Sequence, residues 1–362
     1  MLVAKYSEIG IKSRPVRERM ERLLISNIEN AYKREGMETK VEKEDGRIIV
    51  HAEEGEILRR IFGVSIYCRT VFCERDAEKI ADEIFRTFEK NKTYKIEVNR
   101  ADKTFPGTSM EMTKKIVEKI ERKGMKLGVK SYDEIIFVEI RRDRAYILFD
   151  EKNGPGGMPY GTGGTALALF SGGIDSPVAA WMVARRGVKI DFLFYSFNEG
   201  MKNDVLRVFR KLNEGWFLNG KLFVVDGSEI NKQIAECGER YRQIIFKRIL
   251  YRIANSVKGY DGIVTGENIG QVSSQTLKNL AVIDKASKKI VLRPLLGFDK
   301  QEITDMAKRI GTYELSAGIP EFCAFTKKRP ATAAKIFDVE KEEKKIDWKI
   351  VEEAAGKMEI VC

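Results

Sequence analysis

Apolar and polar positions follow two different periods along the first part of the chain. The stretch 13–36 places apolar side chains three and four residues apart, which predicts an amphipathic helix. Runs of apolar and β-branched residues on either side predict short strands. Around the helix we predict strands at 2–7 and 46–52 and a short helix at 55–63. Together these elements predict a small α+β module over residues 1–54.

The same alternation continues through residues 55–152 and predicts a second α+β unit. Apolar positions at helical spacing predict helices at 76–90 and 108–124. The predicted strands lie at 66–72, 93–100, 134–143 and 145–151, the last two forming a hairpin. Basic residues are frequent in this unit, and the turn "NRADKTFP" contains Arg100 and Lys103.

A glycine-rich stretch then changes the pattern. Residues 151–165 hold six glycines and two prolines, which predicts a linker placed at 153–164. Beyond it, apolar runs alternate with helical stretches, a pattern typical of a parallel sheet covered by helices on both faces. The runs lie at 166–170, 189–197, 221–226 and 262–266. Ligands bind such sheets at the carboxyl ends of the strands, so we expect the ligand site in residues 165–362.

The first of these apolar runs is followed by the hexapeptide Ser-Gly-Gly-Ile-Asp-Ser at 171–176, and a helical stretch begins near Pro177. Glycines allow a sharp turn and close approach of a ligand, and the N–H groups of a helix N-terminus favour an anion. Ser171 and Ser176 add hydroxyl donors. Asp175 adds a carboxylate, which repels phosphate unless a cation such as Mg²⁺ lies between them. The spacing matches neither a Walker A loop nor the dinucleotide-binding fingerprint.

Charge and composition narrow the class of protein. The 362 residues carry 65 Lys and Arg against 54 Asp and Glu, and the net charge of +11 favours a polyanionic partner such as nucleic acid. No apolar run approaches the ~18 residues of a membrane span and no secretory signal is visible, so we expect a cytoplasmic protein without a membrane partner. The five cysteines are sparse and include no C-x-x-C pair, which argues against a disulfide framework.

The hexapeptide resembles the PP-loop of the ATP pyrophosphatases, enzymes that cut ATP between its α and β phosphates. Other segments resemble one family of these enzymes, the tRNA 4-thiouridine synthases, and together they cover nearly the whole chain. In chain order they are "YSEIGIKS", "PYGTGGTALALFSGGIDS", "VTGENIGQVSSQTLKNLAVID", "RPLLGFDKQEI" and "IPEFCAFTKKRPATAAK". The resemblance implies a multidomain α+β and α/β protein: an N-terminal ferredoxin-like domain at 1–54, a THUMP RNA-binding domain at 55–152 and a C-terminal PP-loop domain at 165–362.

The resemblance also implies a reaction. ATP, with Mg²⁺, adenylates O4 of uridine 8 in tRNA and releases pyrophosphate. Sulfur from a persulfide on Cys323, or from sulfide, then displaces AMP and leaves 4-thiouridine. The implied partners are tRNA and a sulfur donor, either sulfide or a cysteine desulfurase, and a homodimer is expected at the level of the family. A role in thiamine biosynthesis, known for part of the family, is not addressed by the residues.

Individual residues receive roles from the same resemblance. Cys323 and Asp175 are implied to be catalytic. The residues implied to bind ATP are Leu169, Phe170, Ser171, Gly172, Gly173, Asp175, Ser176, Phe194, Tyr195, Lys247 or Arg248, Gly266 and Gln275. The residues expected to contact tRNA are Arg100, Lys103, Lys327 and Lys328. By its local sequence alone, Cys323 is explained equally well as a small buried apolar residue.

The cysteines mark where the chain departs from parts of the family. Some members carry a C-terminal rhodanese domain, for which we expect no room here, and a branch associated with an iron–sulfur cluster carries a C-x-x-C pair that this sequence lacks. Three thiols, Cys237, Cys323 and Cys362, leave a cluster open in principle, but their spacing does not support one. We hypothesise instead that Cys237 or Cys362 resolves a disulfide with Cys323.

Two other functions fit the same motifs. Another PP-loop ATP pyrophosphatase would act on a different tRNA base or on a small molecule, and a THUMP protein with a decayed loop would bind RNA without catalysis. The basic N-terminal half argues against an enzyme for small molecules. The intact hexapeptide and Cys323 argue against a protein that has lost catalysis.

Overall fold

The computed structural model, which describes residues 1–197, 199–319 and 330–362, separates the chain between Pro159 and Tyr160 into two units. The separation lies within the glycine-rich stretch that changes the hydrophobic pattern. Each unit has a sheet and a core of its own, and each is described separately below.

The first unit, Met1–Pro159, contains elements with both of the predicted periods. Its strands are β1 (Leu2–Lys5), β2 (Val41–Glu44), β3 (Arg47–Val50), β4 (Ile66–Cys73), β5 (Thr93–Arg100), β6 (Lys126–Leu127), β7 (Glu134–Ile140) and β8 (Ala145–Asn153). Its helices are α1 (Arg14–Arg34), α2 (Ala77–Thr87) and α3 (Ser109–Arg122). The short helix predicted at 55–63 is a 3₁₀ turn at Glu56–Arg60.

Side-chain caps explain where two of these helices begin. The Asp76 carboxylate accepts hydrogen bonds from the first backbone N–H groups of α2. Thr108 and Glu111 form a reciprocal capping box at the start of α3. The start of α3 therefore follows from its own sequence.

A single mixed sheet, with both antiparallel and parallel strand pairs, runs through the whole first unit. Its strand order is β2-β3-β1-β4-β8-β7-β5-β6. Strand β1 pairs with β3 and with β4, and β4 pairs along its length with β8. The predicted hairpin of β7 and β8 is confirmed. The two α+β modules predicted at 1–54 and 55–152 are thus joined through continuous backbone hydrogen bonds.

The second unit, Tyr160–Cys362, alternates strands and helices. Its strands are β9 (Thr165–Leu169), β10 (Lys189–Ser196), β11 (Leu222–Asp226), β12 (Gly262–Val264), β13 (Ile290–Leu292) and β14 (Glu359–Val361). Its helices are α4 (Asp175–Ala184), α5 (Glu199–Gly215), α6 (Ser228–Glu236), α7 (Arg242–Ser256), α8 (Leu277–Asp284), α9 (Lys300–Ile310), α10 (Tyr313–Ser316), α11 (Ile336–Glu343) and α12 (Trp348–Gly356).

The sheet of the second unit has the order β13-β12-β9-β10-β11-β14. Its first five strands are parallel, as the uninterrupted apolar runs predicted. Helices α4, α5 and α9 pack together, and helices α6, α7, α8 and α12 form a second group. Strand β14 pairs antiparallel with β11, a pairing that the charged C-terminal sequence did not predict.

Because the parallel strands share one direction, the loops that follow β9, β10, β12 and β13 open at the same edge of the sheet. The hexapeptide at 171–176 follows β9 at this edge. Across the described residues of both units, none of the helices combines the length and the apolar character needed to span a membrane.

Candidate active site

The turn after β9 is shaped by close packing. Gly172 has φ +76°, and a Cβ at this position would lie 2.8 Å from the Ile319 side chain, so only glycine fits without strain. The Ser171 N–H donates to the Ser176 hydroxyl at 3.1 Å, which closes the turn. Helix α4 then begins at Asp175 without a side-chain cap, so its first N–H groups remain available to an anion.

The Asp175 carboxylate is held from two sides. The Gln271 side-chain amide donates to Oδ2 at 2.9 Å, and the Lys300 ammonium lies 3.4 Å from Oδ1. Gly266 permits this packing, because a Cβ there would lie 3.0 Å from the backbone carbon of Asp175. Three loops of the sheet edge therefore meet at one carboxylate.

A cleft of about 280 Å³ opens beside this turn. Its floor is the carboxyl ends of β9, β10 and β12, and helix α7 forms one wall. The apolar lining comprises Leu169, Phe170, Leu193, Phe194, Tyr195, Phe197, Phe246 and Leu250. Aromatic rings and a phosphate-sized turn at one end fit a nucleotide, since an apolar cleft with a few polar groups is typical of such sites.

Tyr195 contributes its ring to this wall and turns its hydroxyl away from it. The hydroxyl donates to Asn231 at 2.9 Å, and the ring packs edge-on against Phe197 and Phe246. Burial raises the pKa of the Tyr195 hydroxyl far above its ordinary value. Its contribution to the cleft is consequently apolar.

Buried charges line the cleft where α7 meets the ends of β12 and β13. The Glu267 carboxylate accepts from Lys247 Nζ and Tyr251 OH at 2.9 Å each, and from Arg293 Nε at 2.8 Å. Burial disfavours the charged form of Glu267, but the cations of Lys247 and Arg293 outweigh it and lower the pKa of this carboxyl. Arg293 also pairs with Asp284 at the end of α8.

Lys247 and Arg248 are neighbours on α7 but face different surroundings. Lys247 lines the cleft, whereas Arg248 is 2% exposed and pairs with Glu343 of α11 at 2.6 Å. Of the two residues predicted to supply positive charge to ATP, Lys247 is therefore the one that remains a candidate. For Arg248 the prediction is corrected, because its guanidinium is committed to a buried carboxylate outside the cleft.

Comparison with known proteins gives the family. The model for "Thiamine biosynthesis protein (ThiI)" matches residues 161–348, which span the cleft and the turn at 171–176. Models for the "ThiI ferredoxin-like domain" and the "THUMP domain" match residues 1–68 and 74–150. The chain belongs to the ThiI family. Its predicted fold class, ferredoxin-like and THUMP domains followed by a PP-loop domain with a helix-flanked parallel sheet, is confirmed by these matches.

Curated relatives in this family are tRNA sulfurtransferases. The tRNA sulfurtransferase of Thermoplasma acidophilum is 36% identical over 359 residues, 96% of this chain and 74% of the relative. The probable tRNA sulfurtransferase of Caldanaerobacter subterraneus subsp. tengcongensis is 36% identical over 96% of both chains. A crystal structure of a 4-thiouridine synthetase–RNA complex with bound ATP aligns at TM-score 0.85, with 31% identity, over 99% of this chain and 98% of that one.

Most residues that the ThiI resemblance assigned to ATP do line one cleft. They are Leu169, Phe170, Ser171, Gly173, Asp175, Ser176, Phe194, Tyr195, Lys247, Gly266 and Gln275. Gly172 shapes the turn from beneath and does not line the cleft. Cys323, Lys327 and Lys328 lie outside the described residues, so their predicted roles remain predictions.

The other cysteines differ in accessibility. Cys237 is buried in the core of the second unit, and burial raises the pKa of its thiol to about 11. Cys362 is exposed. A resolving thiol must reach its disulfide as a thiolate, so Cys362 is the better of the two predicted candidates. Among the described residues, no group of three or more His, Cys, Asp or Glu side chains could hold a metal ion.

The predicted tRNA contacts in the first unit lie at the end of β5, which is Arg100, and on the turn that follows it, which holds Lys103. Lys103 is exposed there. Arg100 is half-buried, and its guanidinium donates to the carbonyl oxygens of Phe105 and Gly107, so it also holds the turn in shape.

Sequence reasoning missed three residues of the ThiI site: Gln271, Lys300 and Glu267. All three lie in segments already singled out by motif: Glu267 and Gln271 in "VTGENIGQVSSQ", and Lys300 in "RPLLGFDK". A polar side chain following a buried parallel strand was the available signal, because such residues gather at the carboxyl edge of the sheet.

Proposed function

We propose that this chain catalyses the ATP-dependent conversion of uridine 8 of tRNA to 4-thiouridine, as a tRNA sulfurtransferase of the cytoplasm. One observation carries the proposal. The Ser171–Ser176 turn, with Asp175 held between Gln271 and Lys300, opens into an aromatic-lined cleft of nucleotide size. The 4-thiouridine synthetase whose structure with RNA and ATP has been solved shares this chain's fold along its full length.

In the adenylation step, uridine O4 attacks the α-phosphorus of ATP, the bond to the β-phosphate breaks and pyrophosphate leaves. The N–H groups at the start of α4 and the hydroxyl of Ser171 are placed to hold the phosphates. Lys300 supplies a cation beside the turn, where negative charge moves onto the departing pyrophosphate. The aromatic wall of the cleft is the proposed adenine site.

The residues around Asp175 fit a Mg²⁺ ion carried by ATP. Asp175 offers one hard carboxylate oxygen ligand, and the neighbouring Gln271 Oε1 is buried with no hydrogen-bond partner among the described residues. Mg²⁺ in phosphoryl-transfer sites is usually held by one or two carboxylates together with substrate phosphates. When bound, it would neutralise charge on the phosphates and draw electrons from the α-phosphorus.

In the thiolation step, sulfur attacks C4 of the adenylated uridine and AMP leaves with the former O4. The sulfur is proposed to come from a persulfide on Cys323, supplied by a cysteine desulfurase, or from sulfide directly. After transfer from the persulfide, a second thiol, for which Cys362 is proposed, breaks the remaining S–S bond and forms a disulfide with Cys323. A reducing dithiol, or two thiols in succession, then restores both cysteines and is itself oxidised to a disulfide.

The first unit is proposed to hold the tRNA. Its THUMP domain brings Arg100 and Lys103, and Lys327 and Lys328 are proposed as contacts beside Cys323. RNA helices are bound mainly by shape and phosphate contacts, and uridine 8 must be turned out of the tRNA core to reach the cleft. A homodimer is retained only as the expectation from the family.

Purified protein with unmodified tRNA, ATP, Mg²⁺ and sulfide tests the proposal through the absorbance of 4-thiouridine and the release of AMP. The wild-type chain should form both products, and Asp175→Ala should form neither. Asp226→Asn is the matched control, because Asp226 ends β11, two strands from β9, and its carboxylate accepts from the N–H and hydroxyl of Ser228 at the start of α6. This control should retain full activity.

Other outcomes separate the alternatives. AMP release without 4-thiouridine would support adenylation but contradict uridine 8 as the substrate, and would favour another tRNA base or a small molecule. No AMP from the wild-type chain in the presence of tRNA would favour an RNA-binding protein without catalysis. Cys323→Ala should fail with a persulfide donor, while its activity with sulfide tells whether Cys323 is needed beyond sulfur delivery.

A further inference from the structure

The buried carboxylate of Glu267 carries a feature that the family resemblance did not assign. It is 5% exposed, follows β12 directly after Gly266, and receives three donors from two other elements. Lys247 and Tyr251 come from successive turns of α7, and Arg293 comes from the end of β13. Burying a carboxylate this deeply is unfavourable unless hydrogen bonds and opposite charges compensate for the lost water, and here three donors, two of them cations, do so.

The two carboxylate oxygens of Glu267 have different surroundings. Tyr251 OH donates to Glu267 and accepts from Arg293 at 3.0 Å, and Arg293 is anchored by Asp284. Glu267 is thereby fixed on its Oε2 side. On its Oε1 side it touches only the Lys247 ammonium, whose side chain is about 20% exposed at the cleft.

An ammonium has three N–H donors, and Glu267 occupies one of them. The long side chain of a lysine otherwise samples many rotamers, and fixing it costs entropy when a ligand binds. A buried carboxylate that holds the ammonium before ATP arrives reduces this cost. Gly266 couples the arrangement to the phosphate turn, since its backbone packs directly against Asp175.

We propose that Glu267 is a positioning residue of the ATP site, which acts through Lys247 by holding its ammonium at the cleft wall. Tyr251, Arg293 and Asp284 support Glu267 in this role and need not touch ATP themselves. The inference rests on the proposed function only in that ATP is the ligand of the cleft.

The test is ATP affinity, measured by titration calorimetry with Mg²⁺, together with KM and kcat for AMP formation. Glu267→Gln should weaken ATP binding by about tenfold, the size expected for a charged hydrogen bond, and raise KM more than it lowers kcat. Tyr251→Phe, which removes only the hydroxyl, should weaken binding by a smaller factor. Glu343→Gln is the matched control: it removes a buried carboxylate paired with the same helix, α7, but outside the cleft.

A double-mutant cycle with Lys247→Met separates positioning from general stability. If Glu267 acts through Lys247, then Glu267→Gln should weaken ATP binding no further once Lys247 is replaced. Additive losses, an unchanged ATP affinity in Glu267→Gln, or an equal loss in Glu343→Gln would each overturn the inference. If Glu267→Gln does not fold, Tyr251→Phe with and without Lys247→Met provides the same cycle. A wild-type chain that binds no ATP would overturn the proposed function as well, whereas normal wild-type binding with an unaffected variant overturns this inference alone.

Discussion

Individual cysteine thiols of this chain differ because their surroundings differ. Cys68 lies in the core of the first unit and Cys237 in that of the second, and burial raises their pKa values to about 12 and about 11. Cys362 is exposed. Since the thiolate is the reactive form, alkylation at pH 8 should modify Cys362 much faster than either buried thiol. Mass spectrometry of peptides after timed alkylation checks this, and rapid labelling of Cys237 would contradict its placement as an inaccessible thiol.

Glu343 gives a prediction for the pH dependence of stability. Burial by itself raises the pKa of this carboxyl, but hydrogen bonds from Arg248 and Arg252 outweigh burial and lower it. The pair therefore stabilises the fold fully above the unfolded pKa of about 4.3, and this stabilisation is lost as the pH falls through the folded pKa. Glu343→Gln should lower the free energy of unfolding by about 3 kcal/mol at pH 7.

Urea denaturation at several pH values measures the effect. The difference between wild type and Glu343→Gln should shrink steadily below about pH 4, where the wild-type carboxyl also becomes neutral. A difference that stays constant down to pH 3 would show that packing, rather than charge, accounts for it.

At Gly227, the wall of the cleft leaves no room for a side chain. A Cβ there would lie 2.2 Å from the ring of Tyr195, whose hydroxyl oxygen also lies 3.1 Å from the Gly227 carbonyl oxygen. Gly227→Ala should therefore displace the Tyr195 ring, destabilise the fold by about 1–3 kcal/mol and weaken ATP binding. Gly356→Ala is the control, because nothing lies within 4 Å of a Cβ at the end of α12. Thermal unfolding with and without ATP distinguishes the two variants.

At the scale of elements, adjacent residues of helix α7 face two different surroundings. Lys247 and Tyr251 lie four residues apart and face the cleft, while Arg248 and Arg252 lie four apart and face Glu343. Neighbouring positions on a helix point about 100° apart, so Lys247 and Tyr251 enter one environment while Arg248 and Arg252 enter the other. The sequence singled out Lys247 and Arg248, but it did not show which face α7 turns to the cleft.

The loop after β12 is fastened to a distant part of the chain by Asn279 of α8. Its amide donates to the carbonyls of Ser273 and Ala331 at 2.8 Å each, and its oxygen accepts from the Ala334 N–H at 2.9 Å. The side chain is fully buried, so these three hydrogen bonds to backbone groups take the place of the hydrogen bonds that its amide would make to water. Asn279→Ala should destabilise the fold by about 2–3 kcal/mol, because several buried backbone groups lose their partner.

Asn255 at the end of α7 offers a matched control for Asn279. It also bonds two backbone groups, at Ala286 and Lys288, but it lies away from the cleft and is half-buried. Asn255→Ala should cost less stability and leave ATP affinity unchanged. Asn279→Ala should weaken ATP binding, since Ser273 adjoins the cleft-lining Ser274. Equal effects of the two variants on ATP affinity would contradict this assignment.

At the scale of the whole molecule, the net charge of +11 predicts how the proposed tRNA binding depends on salt. Each Lys or Arg that neutralises a phosphate releases a counterion, so affinity falls as salt rises. Lys103→Ala should weaken tRNA binding by about fivefold at physiological salt and reduce the slope of log affinity against log salt by about one unit. Arg100→Ala is less informative, because Arg100 also shapes its turn.

Filter binding at several salt concentrations measures that slope. Lys357→Ala, at an exposed position directly after α12 in the second unit, removes the same charge elsewhere and controls for net charge alone. If both variants shift affinity equally, the turn at 100–107 is not a specific contact. A loss confined to Lys103→Ala supports the proposed role of the first unit.

How much the sequence could predict depends on whether a feature is local. Apolar spacing placed most helices and strands, and the hexapeptide at 171–176 located the cleft. The contacts of Gln271, Lys300 and Glu267 depend on which loops meet at the sheet edge, and no local pattern specifies that. Strand β14 was missed for the same reason, because three residues after a charged helix become a strand only by pairing with β11.

The continuous sheet of the first unit has a consequence for how this half of the protein can be inherited. The two family matches meet around β4, yet β4 bonds to β1 on one side and to β8 on the other. A genetic exchange near this point would have to supply a strand whose register and twist suit both neighbours at once. The ferredoxin-like and THUMP modules should therefore be inherited together. Recombination that transfers one module without the other should leave an unpaired sheet edge, which favours aggregation.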